Sequence, residues 1–333
     1  MKNLLLATAL TGMAATAVSA ETLIVSTNSS PTHFATKHGM EPFMACVVKK
    51  SGGSLDFNFF PSSQIASAAA SVDSINDGLA HVSYVVVTSN SDKLPIANIS
   101  VLPGMGAKVT QMVQAWRKVI TDGGPMKDEL DANHIVPLTV HMYPPYQLGV
   151  KGKKIESLED FAGLKLRVAG GAQVFAVNSL GAVPVQISAG DAYVALQNGT
   201  VDGYMLAVTS IDSYKLQEVT TSITGNGEFS GAAAFIGMKD EFLASLSEDK
   251  QAALRECGLE VEKSLAAYQD GLIDELNATF AAAGAEIYDL SDETKAALSA
   301  KLDLAVTDYI QRLTDLGLPA QEALDQYRAA LSQ

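Results

Sequence analysis

The sequence predicts an α/β fold in two similar lobes, with one long helix laid along both. Three observations predict it. Short apolar strands alternate with helical stretches, the pattern of parallel sheets covered by helices. One β–turn–α–Gly–β unit occurs twice, about 120 residues apart. Ile75-Asn-Asp-Gly78-Leu and Leu196-Gln-Asn-Gly199-Thr share its punctuation, a glycine where a helix ends. A chance match of common βα grammar is the alternative. After Ser247 helical spacing continues to Gly284, about 36 residues and about 54 Å, more than one ordinary domain needs. The 333-residue length agrees with two domains at about 100–200 residues each.

Residues 1–20 read as a signal peptide. Lys2 gives the positive start, Leu4 to Ala17 is apolar but for Thr and Gly, and Val18-Ser19-Ala20 offers small residues for cleavage before Glu21. The run is shorter than the roughly 20 apolar residues that span a bilayer, and no second one follows. The expectation is an exported, periplasmic chain that is not itself embedded in the membrane. An apolar first helix of the fold is the alternative.

The elements then follow in order. Thr22–Ser26 is a β-rich run ending in the turn cluster Thr27-Asn-Ser-Ser-Pro31. Helical spacing covers about 32–50 and stops at Ser51-Gly52-Gly53. Leu55, Phe57 and Phe59 alternate on a strand over 54–60. A helix is expected over about 64–77, then a strand over 81–87. Val109–Thr121 is helical and holds the only tryptophan, Trp116. Strands are expected at 134–143, 165–168, 184–187, 201–206 and 231–238. Ser188 and Asp191 suggest a capping box for a helix over 189–197, and Ser247-Glu-Asp-Lys suggests a cap for the long helix. Helices over about 291–316 and 319–331 finish the chain. The lobes are expected to exchange segments, with 21–143 plus 232–268 forming one and 144–231 plus 269–333 the other.

Charge narrows the partners. The net charge is −14, or −15 once Lys2 leaves with the leader. Such a surface repels nucleic acid and anionic lipid, so neither is an expected partner. An anionic ligand would need a local positive group. The two cysteines, Cys46 and Cys257, each sit in a helical pattern beside apolar residues. An exported chain permits a bridge, but sequence cannot show the required approach. Two buried free thiols are the expectation.

Motifs in the middle of the chain carry a family resemblance. Glu159-Asp-Phe-Ala-Gly-Leu-Lys-Leu-Arg167-Val resembles the "eDlkGlKiRv" segment of TRAP transporter solute receptors of the DctP type. Leu180-Gly-Ala-Val-Pro-Val185 and Asp191-Ala-Tyr-Val-Ala-Leu-Gln-Asn-Gly-Thr-Val-Asp-Gly203 resemble that family's "lGa.pv" and "E.Y.ALq.G.vDG". Phe60-Pro-Ser-Ser-Gln64 resembles its "fP.gqlG". The resemblance implies a two-lobed, class II-like periplasmic binding protein. Its ligand would sit between the lobes at strand ends, and its closed form would dock on integral membrane permease subunits. It implies no cofactor and no catalytic residue, and the chain is expected to be a monomer.

Arg167 is the leading ligand residue, because the family arginine at this position grips a carboxylate. A guanidinium suits that task by making two parallel hydrogen bonds. A salt bridge at the surface or between lobes is the alternative. Gly170-Gly171 before the next helix permits backbone donors for an anion or merely a tight turn.

The sequence also departs from the family pattern. Ala68 stands where a glutamate is frequent, Ala189 replaces a phenylalanine, and Tyr204-Met-Leu replaces the segment holding an asparagine. Met142-Tyr-Pro-Pro-Tyr-Gln147 replaces a second basic residue. One clamp kept and polar lining lost suggest a monocarboxylate with an apolar or aromatic body. Tyr143, Tyr146, Tyr204 and Tyr84 are candidate walls, with Gln147 beside them; ordinary lobe packing is the alternative for each tyrosine. Asn28, His33 and Gln64 lie on turns after strands, where α/β sheets place ligands, although His33 also suits a packing role.

Other chemistry finds no motif. There is no G-x-S-x-G elbow, no H-E-x-x-H, no C-x-x-C and no phosphate loop. No metal site is expected. An exported hydrolase and a ligand sensor for a receptor kinase are the competing functions.

Overall fold

The computed structural model describes residues 20–333, so the expected leader lies outside the described residues except for Ala20. The chain runs β1 Glu21–Ser26, α1 Glu41–Lys50, β2 Leu55–Phe60, α2 Ser71–Asn76, β3 Val82–Val86, α3 Val109–Asp122, α4 Pro125–Ala132 and β4 Ile135–Met142. It continues through β5 Gln147–Val150, β6 Lys165–Val168, α5 Ala172–Ser179, β7 Val183–Gln186, α6 Ala192–Gln197, β8 Gly203–Leu206, α7 Val208–Ser213 and β9 Ser222–Thr224. The last part is β10 Ala233–Lys239, α8 Asp240–Ser245, α9 Glu248–Asp270, α10 Ile273–Ala282, β11 Glu286–Tyr288, α11 Asp292–Asp315 and α12 Ala320–Leu331.

Two sheets form, in the orders β2-β1-β3-β10-β4 and β11-β9-β5-β8-β6-β7. Each contains the same unit. In the first, β1 lies parallel between β2 and β3, and β10 adds antiparallel to β3. In the second, β6 lies parallel between β7 and β8, and β5 adds antiparallel to β8. Gly78 and Gly199 end the matching helices α2 and α6 with φ of 73° and 72°. A side chain is strained there and glycine is not. The repeated punctuation therefore marks two lobes of one design.

The chain passes between lobes after β4, between β9 and β10, and along the helices that follow. α9 lies on β4 and beside α1 and α3, whereas α10 packs on α7 and β11. The long helical run thus covers both lobes, but it bends at Gly271-Leu272 instead of running straight. Just before the bend, the Asp270 carboxylate accepts from the Val109 and Thr110 amides at 2.8 and 3.0 Å. It satisfies donors at the start of α3 that have no helical partner. α11 packs on α5, and α12 returns to α3.

Packing on the first sheet is close. Gly258 in α9 faces the Leu138 carbonyl in β4, and a Cβ there would overlap it. Glu262, one turn on, accepts from the Val140 amide at 2.7 Å and pairs with Arg117 of α3. Trp116 is fully buried, and its indole N–H donates to Ser100 Oγ at 2.9 Å.

Several expectations are corrected. Cys46 and Cys257 are not free thiols: they form a disulfide between α1 and α9, with Cα atoms 5.7 Å apart. Each was rightly placed on a helix, but sequence did not show that the two helices touch. The helix expected over 64–77 shrinks to a short turn at 68–70 and α2, because Ser67 is extended, with ψ of 167°, and interrupts any helix entering from Gln64. Neither Ser188 nor Asp191 caps α6, and Ser247 does not cap α9. Ser291 does cap α11, accepting from the Thr294 amide at 3.1 Å.

Candidate functional site

The parallel strands of both sheets aim their C-terminal ends at one another, and a small cavity of about 50 Å³ lies between them. Asn28 and Ser29 follow β1, and Thr88 and Ser89 follow β3. Across the gap, Ala169 follows β6, Ser188 and Ala189 follow β7, and Ser210 lies just past β8. Ligands of α/β proteins bind at such strand ends. The lobes meet around the cavity. The Phe34 amide donates to Ser213 Oγ at 3.2 Å across the gap, and Gln173 Nε2 donates at 2.9 Å to the carbonyl of Gly231, in the crossing segment just before β10. The Gly170-Gly171 turn is part of this closure, since a Cβ on Gly170 would stand 3.0 Å from the Thr88 carbonyl oxygen.

Arg167 forms part of the cavity wall. It sits on β6 between Val185 of β7 and Tyr204 of β8. Only 3% of it is exposed, and its Nε donates to the Ile187 carbonyl at 2.9 Å. Among the described residues Arg117 is the arginine with an ion-pair partner, and Arg167 has none. Burial lowers its pKa from the ordinary arginine value, with the Tyr146 and Tyr214 phenols, the Asp191 carboxylate and the Tyr143 phenol opposing that shift, although Asp191 makes no ion pair with it. A charge buried without a counter-ion costs several kcal/mol.

Aromatic groups surround this charge. Tyr143, Tyr146 and Tyr214 line the cavity. Burial raises all three phenol pKa values, that of Tyr214 to about 12, so they remain protonated hydrogen-bonding groups. Phe34 meets Tyr143 edge-on with centroids 5.5 Å apart, and His33 lies 5.0 Å from the Tyr214 ring. Burial holds His33 neutral, at about 3, and its Nδ1 accepts from the Ala35 amide at 3.2 Å. Two polar atoms at the wall, Asn28 Oδ1 and Thr88 Oγ1, are buried without a protein partner. A larger groove lies between α4 of the first lobe and α5 and α11 of the second. Its half-buried Glu129 already accepts from the Ile96 and Ala97 amides at 2.6 and 2.8 Å.

The cavity gathers five of the residues singled out from sequence: Arg167, Tyr143, Tyr146, Asn28 and His33. Tyr84 stands one layer back, 3.0 Å from the Tyr143 hydroxyl. Three others lie elsewhere. Gln64 is exposed on the turn after β2. Tyr204 is fully buried under Gly149, with its hydroxyl 3.0 Å from Thr220 Oγ1. Gln147 Oε1 accepts from Thr224 Oγ1 at 2.9 Å and the Gly227 amide at 2.7 Å, which ties neighbouring segments together. Sequence reasoning missed Tyr214, Thr88, Ser89 and Ser210 as wall residues and gave Ser188 a capping role. Apart from Tyr214, all follow strands closely, so the strand-end rule applied evenly would have found them.

Comparison with known proteins matches this architecture. The sequence model of the bacterial extracellular solute-binding proteins, family 7 (DctP), matches residues 25–312. The chain belongs to that family. A solute-binding protein of Albidiferax ferrireducens is 28% identical over 257 residues, covering 76% of this chain and 74% of its own. A TRAP solute binding protein from Rhodoferax ferrireducens T118, solved with copurified benzoate, superposes with a TM-score of 0.86 at 21% identity, covering 94% of this chain and 98% of that one. A marine metagenome TRAP protein specific for aromatic acid ligands, solved with 3-hydroxybenzoate, gives a TM-score of 0.87 at 22% identity over 94% and 98%. No helix among the described residues is long and apolar enough to cross a membrane.

Proposed function

We propose that this protein is the periplasmic receptor of a TRAP transporter, taking a small monocarboxylate with an aromatic or apolar body between its lobes. The closed form would deliver that acid to integral membrane permease subunits. The lobes are taken as 21–143 plus 232–268 and 144–231 plus 269–333, with α12 packed back on the first. One observation carries the reading: the Arg167 guanidinium is buried in the cavity with no carboxylate partner, and tyrosines stand around it. The ligand carboxylate supplies the missing counter-charge, and the rings of Tyr143, Tyr146 and Tyr214 hold its body. Two relatives at low identity are described with aromatic carboxylates, which supports the same ligand class.

The reading is of a receptor and not an enzyme. His33 faces the cavity but has its Nδ1 engaged by a backbone amide, so it lacks the orienting acid of a nucleophile–base pair. Calorimetric titration with a panel of aromatic and branched aliphatic monocarboxylates tests the proposal. The wild type should bind at least one, and Arg167→Ala should weaken it by about 2–5 kcal/mol, a loss of roughly 30-fold or more. Unchanged affinity in the variant overturns the assignment.

A further inference from the structure

We propose that the acid is a short aliphatic monocarboxylate of about three or four carbons bearing one oxygen substituent, and that the closed cavity excludes an aromatic ring. This rests on the carboxylate reading above and chooses the aliphatic body over the aromatic one.

The cavity between the strand ends measures about 50 Å³. A water-sized group takes at least about 10–15 Å³ of such space, so about three to five groups fit, whereas a benzene ring occupies a cavity of about 150 Å³. Bonded atoms sit closer together than waters do, which sets the upper size at about six non-hydrogen atoms. The walls cannot give way without undoing the contact between the lobes. Gly170 brings the second lobe so near the Thr88 carbonyl that a Cβ would stand 3.0 Å from its oxygen, and Gly171 lies as tightly against Asn98 and Ser91. Thr88, Ser91 and Asn98 all belong to the first lobe. Moving the lobes apart by about 3.5 Å, the thickness of a ring, would break these contacts and the Phe34–Ser213 bond. Tyr143 cannot swing back, since Phe34 meets it edge-on and the Tyr84 hydroxyl stands 3.0 Å from its own. Tyr146 is pinned through its backbone, its amide donating to the Ser230 carbonyl at 2.8 Å and its carbonyl accepting from the Phe229 amide at 3.1 Å.

The polar groups of the two walls complete the assignment. Arg167 Nε is taken by the Ile187 carbonyl, so Nη1 and Nη2 are the donors left for a carboxylate. That charge stands on the second lobe. On the first, Thr88 is fully buried and its hydroxyl has no protein partner, nor has Asn28 Oδ1. Leaving a buried hydroxyl unpaired is costly, and one oxygen on the ligand relieves it. The Thr88 hydroxyl can donate or accept, so the pairing holds whichever way the proton points. A carboxylate at one wall and an oxygen at the other leave room for only a few carbons between them.

The probes are propionate, lactate, 3-hydroxypropionate and pyruvate as short acids, and benzoate, 3-hydroxybenzoate and mandelate as aromatic ones, titrated by calorimetry. In the wild type, at least one short oxygen-bearing acid should bind about 10-fold or more tighter than propionate and than every aromatic acid. Thr88→Val keeps the shape and removes the hydroxyl, and it should bring the preference over propionate to within about 3-fold. Tyr214→Ala tests the size limit by a gain of binding, which a misfolded protein cannot produce. Tyr214 is half-buried at the end of α7, so its truncation widens the cavity at little cost to the fold, and benzoate affinity should rise by about 10-fold or more. A wild type that binds an aromatic acid as tightly as any short one, an oxygen preference that survives Thr88→Val, or a Tyr214→Ala protein that still excludes benzoate overturns this inference and leaves the Arg167 reading standing. Failure of every acid to bind removes both.

Discussion

The two lobes share one topology and divide the chemistry unequally. In the first, the strand ends bring neutral groups to the cavity: Asn28, Ser29, Thr88, Ser89 and Tyr143, backed by His33 and His141. In the second, the equivalent ends bring the Arg167 charge, Ser188 and Ser210, with Tyr214 beyond α7. The covalent staple is also one-sided, since Cys46 and Cys257 join two helices packed on the first lobe. A duplicated unit thus fixes where a site can form, while side chains at its strand ends decide what each half contributes. The arrangement of the lobes brings the charge and the neutral groups to one cavity.

This contrast can be broken at several points. The largest effect is expected at the staple. Replacing Cys46 and Cys257 together with serine removes a link across 211 residues and should cost about 2–5 kcal/mol in urea unfolding. Ligand affinity should stay within about twofold, because the bridge lies far from the cavity lining; a large loss of affinity would mean that the staple sets the site as well as the lobe.

The buried histidines of the first lobe come next. His33 and His141 are held at about 3, against an ordinary value of 6.5, chiefly by burial. The unfolded chain binds these protons first, so the stability they support is complete above pH 6.5 and drains as pH falls toward 3. Each contributes a slope of about 1.4 kcal/mol per pH unit inside that window. Urea melts between pH 7 and 5 should show it, and His33→Asn should remove about one proton from the slope. A flat profile would mean these rings are not buried as described.

Helix packing gives a smaller effect. Gly258→Ala drives a methyl into the Leu138 backbone carbonyl and should destabilise by about 1–3 kcal/mol. Because that obstacle is backbone, α9 itself must shift, and a neutral outcome would show that it slides freely on β4. The smallest test compares two serines. Ser291→Ala removes a real cap from α11 and should cost about 1 kcal/mol. Ser247→Ala, at a similar sequence signal without a cap bond, should stay within about 0.5 kcal/mol. Equal costs would remove the distinction.

The architecture was largely legible in the sequence because its signals are local. Gly78 and Gly199 end helices in both lobes, and the alternation of Leu55, Phe57 and Phe59 marks a strand whatever lies beside it. The place of Arg167 in the cavity wall was legible through its motif. What failed depends on contacts between distant segments. Cys46 and Cys257 look like two core thiols until α1 is seen against α9. Tyr204 and Tyr143 look alike along the chain, yet one packs under Gly149 and the other faces the cavity. Gln147 satisfies loop donors that sequence does not reveal, and the serine signals before α6 and α9 resemble the one at Ser291 that does cap.

The order of strands in the first sheet also governs how the molecule can be assembled. β10 lies in the interior, bonded to β3 on one side and β4 on the other. A nascent chain that has not yet delivered residues 233–239 has an open slot through the middle of that sheet, and β4 has nothing to join. Completion waits for a segment about 150 residues beyond β3, a long-range closure of the kind that slows folding. The export that the proposed receptor function requires would be served by this late completion, which keeps the thread loose while it is still being passed through.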